Sequence, residues 1–565
     1  MEKIIKLTPI CELKGLLKKL KLNAYIIPSN DEFRNQFENP DRLAYISGFT
    51  GSAGTAIVTN AKCHFVTDGR YTEQAARELA IGFQIINKKD CSLEKWLLHF
   101  IAKGNRIGFD PRLHTIQQIQ SLHSKLHNKA MFVPITKNLV DLIRKPNNAE
   151  KLGTISVYGL KYSGQSSISK KKNLIDHLTK QRRYGIVLTD PTSICWLLNI
   201  RAIDIPFSPC MNAYLVVRVS GQLELFTNAN IASKAKTYLN NNSVSVLPIH
   251  LFEKTLERLK DKKIHLSGQA PYFIVQRLKN YALAEDPCLL PKACKNKIEL
   301  QGAVRAGARD SKALMNFFNW LKGAVSKEKL TELDVVEKLV QFRSEQEYFV
   351  SPSFPSIVGI NENAALAHYL PNETTNKEIK GNGLLLIDSG GQYLDGTTDM
   401  TRTIAIGFPT AEQIHNFTLV LKSHINLITA VFPERTCGSQ LDTLARIALW
   451  KEGKDYDHGT GHGVGSFLGI HEGPQNIVKQ SGAAPLQEGM IVSIEPGFYK
   501  LKCYGIRIEN LAYVKKSNFA GYLTFEVLTY VPIDNQLIDF NMLTEAETIW
   551  VKKYDKKCYE ISKYN

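Results

Sequence analysis

The sequence predicts two successive α/β domains followed by an α+β domain that carries the chemistry. Three observations lead there. Residues 1–290 twice run through an alternation of short strand-like stretches and helix-like ones. A long helix-compatible region, 295–325, then opens a third segment. From Gly381 onward the pattern changes to strand-like runs and glycine-rich turns, and the chemistry-bearing residues concentrate there.

In the first domain, NAYIIP (23–28), TAIVT (55–59) and KCHFVTD (62–68) are β-branched or aromatic runs expected to form strands. YTEQAARELA (71–80) reads as a helix, and so does MEKIIKLTPICELKGLLKKL, whose lysines interrupt its apolar residues every few positions. Arg144-Lys145-Pro146-Asn147-Asn148 is polar and contains proline, as linkers do, so the domain is taken as 1–148. The second domain, 149–292, repeats the grammar. Ser169 is the expected N-cap of a helix over KKKNLIDHLTKQRR with a basic outer face, followed by strands YGIVLTD (184–190) and AYLVVRV (213–219). In the third, 293–565, KNKIELQGAVRAGARDSKALMNFFNWLKGAV places apolar residues three and four apart, a long helix. No short solenoid repeat is present.

At about 150 residues per domain, 565 residues rule out one small binding module. With 44% hydrophobic and 22% charged residues, the chain is globular and neither disordered nor fibrous. The formal charge of +17 is unevenly placed: 41 basic against 23 acidic residues fall in 1–290, and 30 against 31 in the remainder. Ten cysteines are too sparse for a disulfide scaffold, so reduced thiols are expected. No signal-peptide core is seen, no apolar run nears the roughly 20 residues of a membrane span, and the carboxy-terminal stretch is charged. A soluble cytoplasmic protein is therefore expected, with no membrane partner.

The chemistry begins in GLLLIDSGGQYLDGTTDMTRTIAIG (383–407). An apolar strand ends at Asp388, turns through Gly390-Gly391 and leads to a second strand near Asp399. Two strands joined this way bring both carboxylates onto one face, where they raise each other's pKa unless a cation neutralises them. Asp395, followed by glycine, reads as a turn residue and is set aside. Next comes HGTGHGVG (458–465), with His471 just after. It lacks the lysine of a phosphate-binding loop and the pattern HExxH, and its four glycines argue against a helix. They let the backbone crowd close to something small, such as a metal centre. GMIVSIEPGFY (489–499) and YGIRIENLAYV (504–514) each carry one glutamate in a β-rich run, Glu495 and Glu509. Arg507 and Glu509 share one face while Ile506 and Ile508 take the other. Any one of these is open to a bland reading: Asp388 as a strand-end cap, a histidine as a hydrogen-bonded structural residue, Arg507–Glu509 as a surface pair. Together, Asp388, Asp399, His462, Glu495 and Glu509 are four carboxylates and an imidazole, hard ligands suited to two divalent ions.

The ordered set of an Asp, a second Asp eleven later, HGTGHGVG, IEPG and GIRIEN resembles the pita-bread metallopeptidases. SGFTGSAGTAIV (47–58) with TDGRY (67–71), CWLLNIRAID (195–204), HYLP after AALA (365–371) and GTTDMTRT (396–403) are similar to three-domain Xaa-Pro aminopeptidases, and these matches span nearly the whole chain. The resemblance implies two creatinase-N-like α/β domains followed by a pita-bread catalytic domain. It implies an enzyme releasing the first residue from peptides whose second residue is proline, with two divalent ions, Mn²⁺ by family precedent, and a homodimer. It implies that Asp388 holds one ion, His462 and Glu495 the other, and that Asp399 and Glu509 bridge them, with Glu495 as general base beside a shared water. His368 and His471 are implied near the reacting carbonyl and the leaving proline nitrogen, His458 and Arg507 as supporting residues, and Arg70 as a substrate contact. All five ligand positions match.

Three alternatives stand beside this. A prolidase cleaving X-Pro dipeptides shares all five ligands, but such enzymes usually carry one amino-terminal domain, and here about 290 residues precede the catalytic part; a methionine aminopeptidase needs no such extension. A catalytically idle nucleic-acid-binding or scaffold protein would use the basic first half, with Lys170-Lys171-Lys172 and Arg182-Arg183, to bind phosphate backbones. A module of that kind has no need of five intact ligands, so a nucleic-acid partner is not expected.

Overall fold

Alternation along one buried strand organises the amino-terminal unit. Ala24–Pro28 is buried along its whole length. Tyr25 and Ile27 enter one apolar cluster, Ala24 and Ile26 another, because successive side chains point to opposite faces. Helix Leu7–Lys19 covers the first face with Ile10, Leu13 and Leu17. Helix Ile116–Leu126 covers the second with Ile119, Leu122 and Leu126. A strand covered on both sides reads as an apolar run, as NAYIIP does.

The structure is a computed structural model that describes residues 7–35, 41–144 and 152–563. The chain divides into two units: Met1–Val157, Ser167–Pro206 and Cys210–Pro287 form one, and Tyr158–Ser166, Phe207–Pro209 and Cys288–Asn565 the other. The first six residues of the expected amino-terminal helix, and Lys145 to Asn148 of the expected linker, lie outside the described residues.

The first unit contains the same sheet twice. One runs in the order Phe83–Asn87, Cys63–Thr67, Thr55–Thr59, Ala24–Pro28, Asn105–Phe109, Ala130–Pro134. The other runs Val244–Leu247, Leu223–Thr227, Ala213–Arg218, Gly185–Leu188, Ile264–Leu266, Tyr281–Leu283. In both, the third strand of that order is antiparallel to its two neighbours and every other pairing is parallel. Two details differ from the sequence reading. The basic helix is Ser167–Lys180, so Ser169 lies inside it and is not its N-cap; nothing in Ser167-Ile168 stops the helix from starting earlier. Lys170 is not on the outer face either: it is buried, with Nζ donating to the Trp196 carbonyl (2.9 Å) and Asn199 Oδ1 (2.8 Å). Among the described residues no disulfide joins any of the ten cysteines.

The second unit carries the long helix Lys297–Ala324, started by a capping box between Asn296 and Glu299. Strands Ile357–Ile360, Gly383–Ser389 and Met400–Ile406 form one sheet. A six-stranded sheet runs Val431–Pro433, Tyr522–Val527, Asn510–Lys516, Ile491–Ile494, Gly461–Gly463, Glu472–Ile477, and a hairpin joins Gly497–Lys500 to Tyr504–Arg507. The expectation of strands and turns alone after Gly381 is corrected by three helices, Ala411–Ile428, Gly438–Trp450 and Glu545–Ser562. The first of them carries Phe417, Leu421 and Ile425 at helical spacing, and these pack in one core with Ile506 and Ile508. No helix among the described residues is long and apolar enough to cross a membrane.

The long helix touches the turn at Asp395 so closely that a Cβ on Gly302 would stand 2.2 Å from the Asp395 carbonyl oxygen. Gly302→Ala is expected to lower stability by about 1–3 kcal/mol, read as a reduced urea midpoint; an unchanged midpoint would mean that helix and turn separate freely.

Candidate metal centre

Pairing between distant strands assembles the cluster. Asp388, near the end of Gly383–Ser389, lies opposite Thr401 of Met400–Ile406, and Asp399 stands just ahead of that second strand. His462 sits on the short strand Gly461–Gly463, where a Cβ on Gly461 would fall 2.0 Å from the Ser493 carbonyl oxygen, so the strands approach this closely only with glycine there. Glu495 follows Ile491–Ile494, and its N–H donates to the Thr460 carbonyl (2.8 Å). Glu509 lies in the break between Tyr504–Arg507 and Asn510–Lys516, with its N–H on the Thr401 carbonyl (3.1 Å). Ile494 pairs with Asn510, which brings the two glutamate-bearing segments side by side.

His462 Nε2 lies 3.5 Å from Asp399 Oδ2 and 3.7 Å from Glu495 Oε1. Asp399, His462 and Glu509 each place one ligand atom within 4.8 Å of the others. The His462 and Glu495 side chains keep 18% and 19% of their exposure and Asp399 only 5%, so an incoming molecule meets the first two. His462 Nδ1 lies 3.0 Å from the Gly463 carbonyl, to which it donates, and this contact turns Nε2 toward the cluster.

Burial pushes the Asp399 carboxyl well above the usual range, and neighbouring Asp388 and Glu495 push it further. Glu509 is raised likewise, by burial first and then by Asp399, Glu495 and Asp388. Burial also raises Glu495, against the pull of His462 and Arg507. Asp388 Oδ1 and Asp399 Oδ1 are buried without a hydrogen-bond partner among the described residues. Hard oxygen donors, a correctly polarised imidazole and two orphaned carboxylate oxygens fit divalent cations.

A hydrogen-bonded chain supports the cluster. Arg507 donates from Nη2 to Asp388 Oδ2 (2.6 Å), from Nε to Thr401 Oγ1 (3.1 Å), and from Nη1 to the Tyr499 hydroxyl (2.6 Å) and the Ala367 carbonyl (3.2 Å). Thr401 Oγ1 donates to Glu509 Oε2 (2.6 Å). Burial pushes the Tyr499 phenol up to about 12, so it stays protonated and donates to His458 Nε2 (2.9 Å), whose Nδ1–H is taken by the Gly459 carbonyl (2.7 Å). Ser493 Oγ accepts the His462 N–H (3.0 Å) and donates to Glu495 Oε1 (3.3 Å). Thr401, Tyr499 and Ser493 escaped the sequence reading: each is a hydroxyl within four residues of a named ligand, a signal too common to single out.

The other expected residues are placed as follows. His471 is exposed, its ring 4.1 Å from that of His462 at 71°. His368 is half-buried, next to the Ala367 carbonyl that Arg507 holds. Arg70 belongs to the first unit and is ion-paired with Asp68 (2.8 Å). Asp395 is a buried turn residue bound by Arg305 and Arg309, in keeping with its being set aside.

Residues 302–516 match metallopeptidase family M24, and residues 521–564 match the C-terminal region of peptidase M24. Residues 10–145 and 145–299 each match a creatinase/prolidase N-terminal domain. A probable Xaa-Pro aminopeptidase P of Pyricularia oryzae is 37% identical over 97% of this chain and 94% of its own. An X-prolyl aminopeptidase of Caenorhabditis elegans, described as a cytosolic enzyme with a di-nuclear active site, superposes with a TM-score of 0.95 at 33% identity, covering 99% of this chain and 96% of that one. A prolidase of Pyrococcus furiosus, 23% identical with a TM-score of 0.52, shares the fold over 63% of this chain and 99% of its own.

A carboxyl raised on folding holds its proton more tightly in the folded chain than in the unfolded one. Its stabilising effect is present below the unfolded pKa of about 4 and is lost as pH rises through the folded value. Metal-stripped protein is therefore expected to lose stability as pH rises above about 4. Glu509→Gln, without a charge to bury, is expected to melt at least about 2 °C higher than the stripped parent at neutral pH, with the difference closing near pH 4. Parallel melting curves for the two proteins across pH would refute the charge-crowding account.

Proposed function

This chain belongs to metallopeptidase family M24 and within it to the Xaa-Pro aminopeptidases, and from that premise we propose that it hydrolyses the bond between an N-terminal residue and a following proline at the carboxylate–imidazole cluster. The observation that carries the assignment is the meeting of Asp399, His462 and Glu509 within 4.8 Å, beside two carboxylate oxygens that have no protein partner among the described residues. The enzyme is a two-metal hydrolase; Asp388 would hold one ion, His462 and Glu495 the other, and Asp399 and Glu509 would serve both.

Bound in that cluster, two divalent ions supply an acidified water and a polarised scissile carbonyl. The remaining work falls to the chain. Glu495 takes the water's proton at its carboxylate and returns it to the leaving nitrogen; Ser493 on its Oε1 (3.3 Å) keeps it oriented. Arg507 fixes the rotamer of Asp388, and Thr401 that of Glu509, so little ordering is left for the moment of binding. Tyr499 and His458 steady Arg507 in turn. His471, with its ring against that of His462, and His368 donate hydrogen bonds or protons to the reacting amide. Arg70 is a proposed substrate contact on the strength of the family resemblance alone.

An X–Pro bond is a tertiary amide without N–H, so a site that demands no donor there accepts what other peptidases refuse. Mn²⁺ is the proposed ion, a homodimer the proposed assembly and the cytoplasm the proposed compartment; the first two rest on the family resemblance, the last on the cytosolic relative. Domain limits near 148 and 292 are proposed from the polar, proline-containing stretch at 144–148 and the long helix-compatible region that opens at 295.

Metal-stripped protein resupplied with Mn²⁺ is expected to release the first residue from an X-Pro-Y tripeptide, with little action on an X-Pro dipeptide or on Met-Ala-Y. Preference for the dipeptide would make it a prolidase, and no hydrolysis with any divalent ion would overturn the reading. Glu495→Gln is expected to lower kcat about 100-fold or more while the fold is kept; near-normal turnover would remove Glu495 from its role. His471→Ala is expected to lower kcat at unchanged metal content.

A further inference from the structure

Arg402 follows Thr401 on strand Met400–Ile406, and its side chain leaves the strand on the face opposite that of Thr401. It is 2% exposed, and its donors go to neutral oxygens. Nη1 reaches the main-chain carbonyls of Thr401 (2.8 Å) and Glu509 (2.6 Å). Nε and Nη2 reach the Val531 carbonyl (3.0 and 2.8 Å), and Nη2 also the Tyr554 hydroxyl (2.6 Å). A buried guanidinium is tolerated only while such donors stay satisfied. Asn510, fully buried and next to Glu509, donates from Nδ2 to the same hydroxyl (2.8 Å) and to the Thr529 carbonyl (2.5 Å).

Tyr554 belongs to the last helix, Glu545–Ser562, and is 4% exposed. Its ring stacks on Trp550 at 5.0 Å and 18°. Its oxygen accepts from Arg402 and Asn510 and donates to the Val531 carbonyl (3.1 Å). One phenol thus orients both groups that flank the main chain of Glu509. That residue is gripped on three sides: its N–H by the Thr401 carbonyl, its carbonyl by Arg402 and its carboxylate by the Thr401 hydroxyl.

We propose that Tyr554 is a positioning residue for the metal centre: by orienting Arg402 and Asn510 it fixes the main chain at Glu509, so that the carboxy-terminal helix sets how tightly the centre holds its ions. The inference rests on the reading of Glu509 as a ligand. Without the phenol, Arg402 Nη2 keeps the Val531 carbonyl and a longer contact to Asn510 Oδ1 (3.4 Å), and Asn510 Nδ2 keeps the Thr529 carbonyl, but each loses one close acceptor in a buried place and is held less firmly. The loosening passes to the Glu509 carbonyl, one residue from Asn510, and so to the carboxylate.

Tyr554→Phe removes one oxygen and keeps the ring and its stacking. Metal-stripped parent and variant are titrated with Mn²⁺ alone in competition with a chromophoric chelator, and Tm is followed in parallel. Tyr554→Phe is expected to weaken Mn²⁺ affinity about 10-fold or more. Asn510→Ala is expected to give a similar loss, and the double variant little beyond the larger single one, because the two act in one network. Val551→Ala, on the same helix at 1% exposure, is expected to lower Tm with affinity within about twofold of the parent. Parental affinity in Tyr554→Phe with only Tm reduced would overturn the proposal, as would an equal loss of affinity in Val551→Ala. A parent that takes up no Mn²⁺ would show, before any substitution is made, that the metal site itself is misread.

Discussion

Four carboxylates crowded into one largely buried place are the constraint on which the second unit depends. Their mutual repulsion and loss of hydration act against folding unless protons or cations offset them. Among the described residues, the lysine or arginine ion-paired with one of these carboxylates is Arg507, held to Asp388 at 2.6 Å. One guanidinium cannot balance four carboxylates, and orphaned oxygens remain on Asp388 and Asp399. The charge of the cluster is therefore poorly balanced by protein groups alone, and divalent ions bound there would offset it. What makes it poor as a folding element is what makes it able to bind metal.

Holding such a cluster requires rigid support, and the unit provides it from several directions. Helix Ala411–Ile428 presses on Ile506 and Ile508, which leaves the alternate residues Arg507 and Glu509 for the site. Ser493 joins the His462 main chain to the Glu495 side chain. Lys292 and Glu472, both almost fully buried, pair at 2.8 Å, and Glu472 also accepts the Gly469 N–H, so the loop that ends at His471 is anchored at its base. Removing either member would strand a buried charge, which is why pairs of this kind are sensitive to single substitutions.

The first unit follows a different logic. Its two six-stranded sheets share strand order and direction throughout, each with a central strand buried on both faces. Its excess of basic residues is mostly spread over exposed positions, and where a lysine does enter the interior, as Lys170 does, main-chain and amide oxygens meet its ammonium and the Trp196 ring lies 4.2 Å away.

By itself the sequence singled out the acidic residues and the histidine that the fold brings into one cluster, the repeated α/β grammar and the long helix at 297–324, because each is written in local spacing: period-2 runs, three-and-four spacing, glycines between histidines. It left the helices at 411–428, 438–450 and 545–562 unread, although the first carries Phe417, Leu421 and Ile425 at helical spacing. Only the tertiary structure decided which hydroxyls serve the site. Thr401 meets Glu509 across 108 residues and Tyr554 meets Arg402 across 152, contacts that no window along the chain can register. A carboxylate, an imidazole or a glycine-rich turn restricts its own surroundings enough to be recognised in sequence. A threonine or tyrosine hydroxyl is compatible with almost any setting, and its role is set by whatever folding brings within reach of its one proton and two lone pairs.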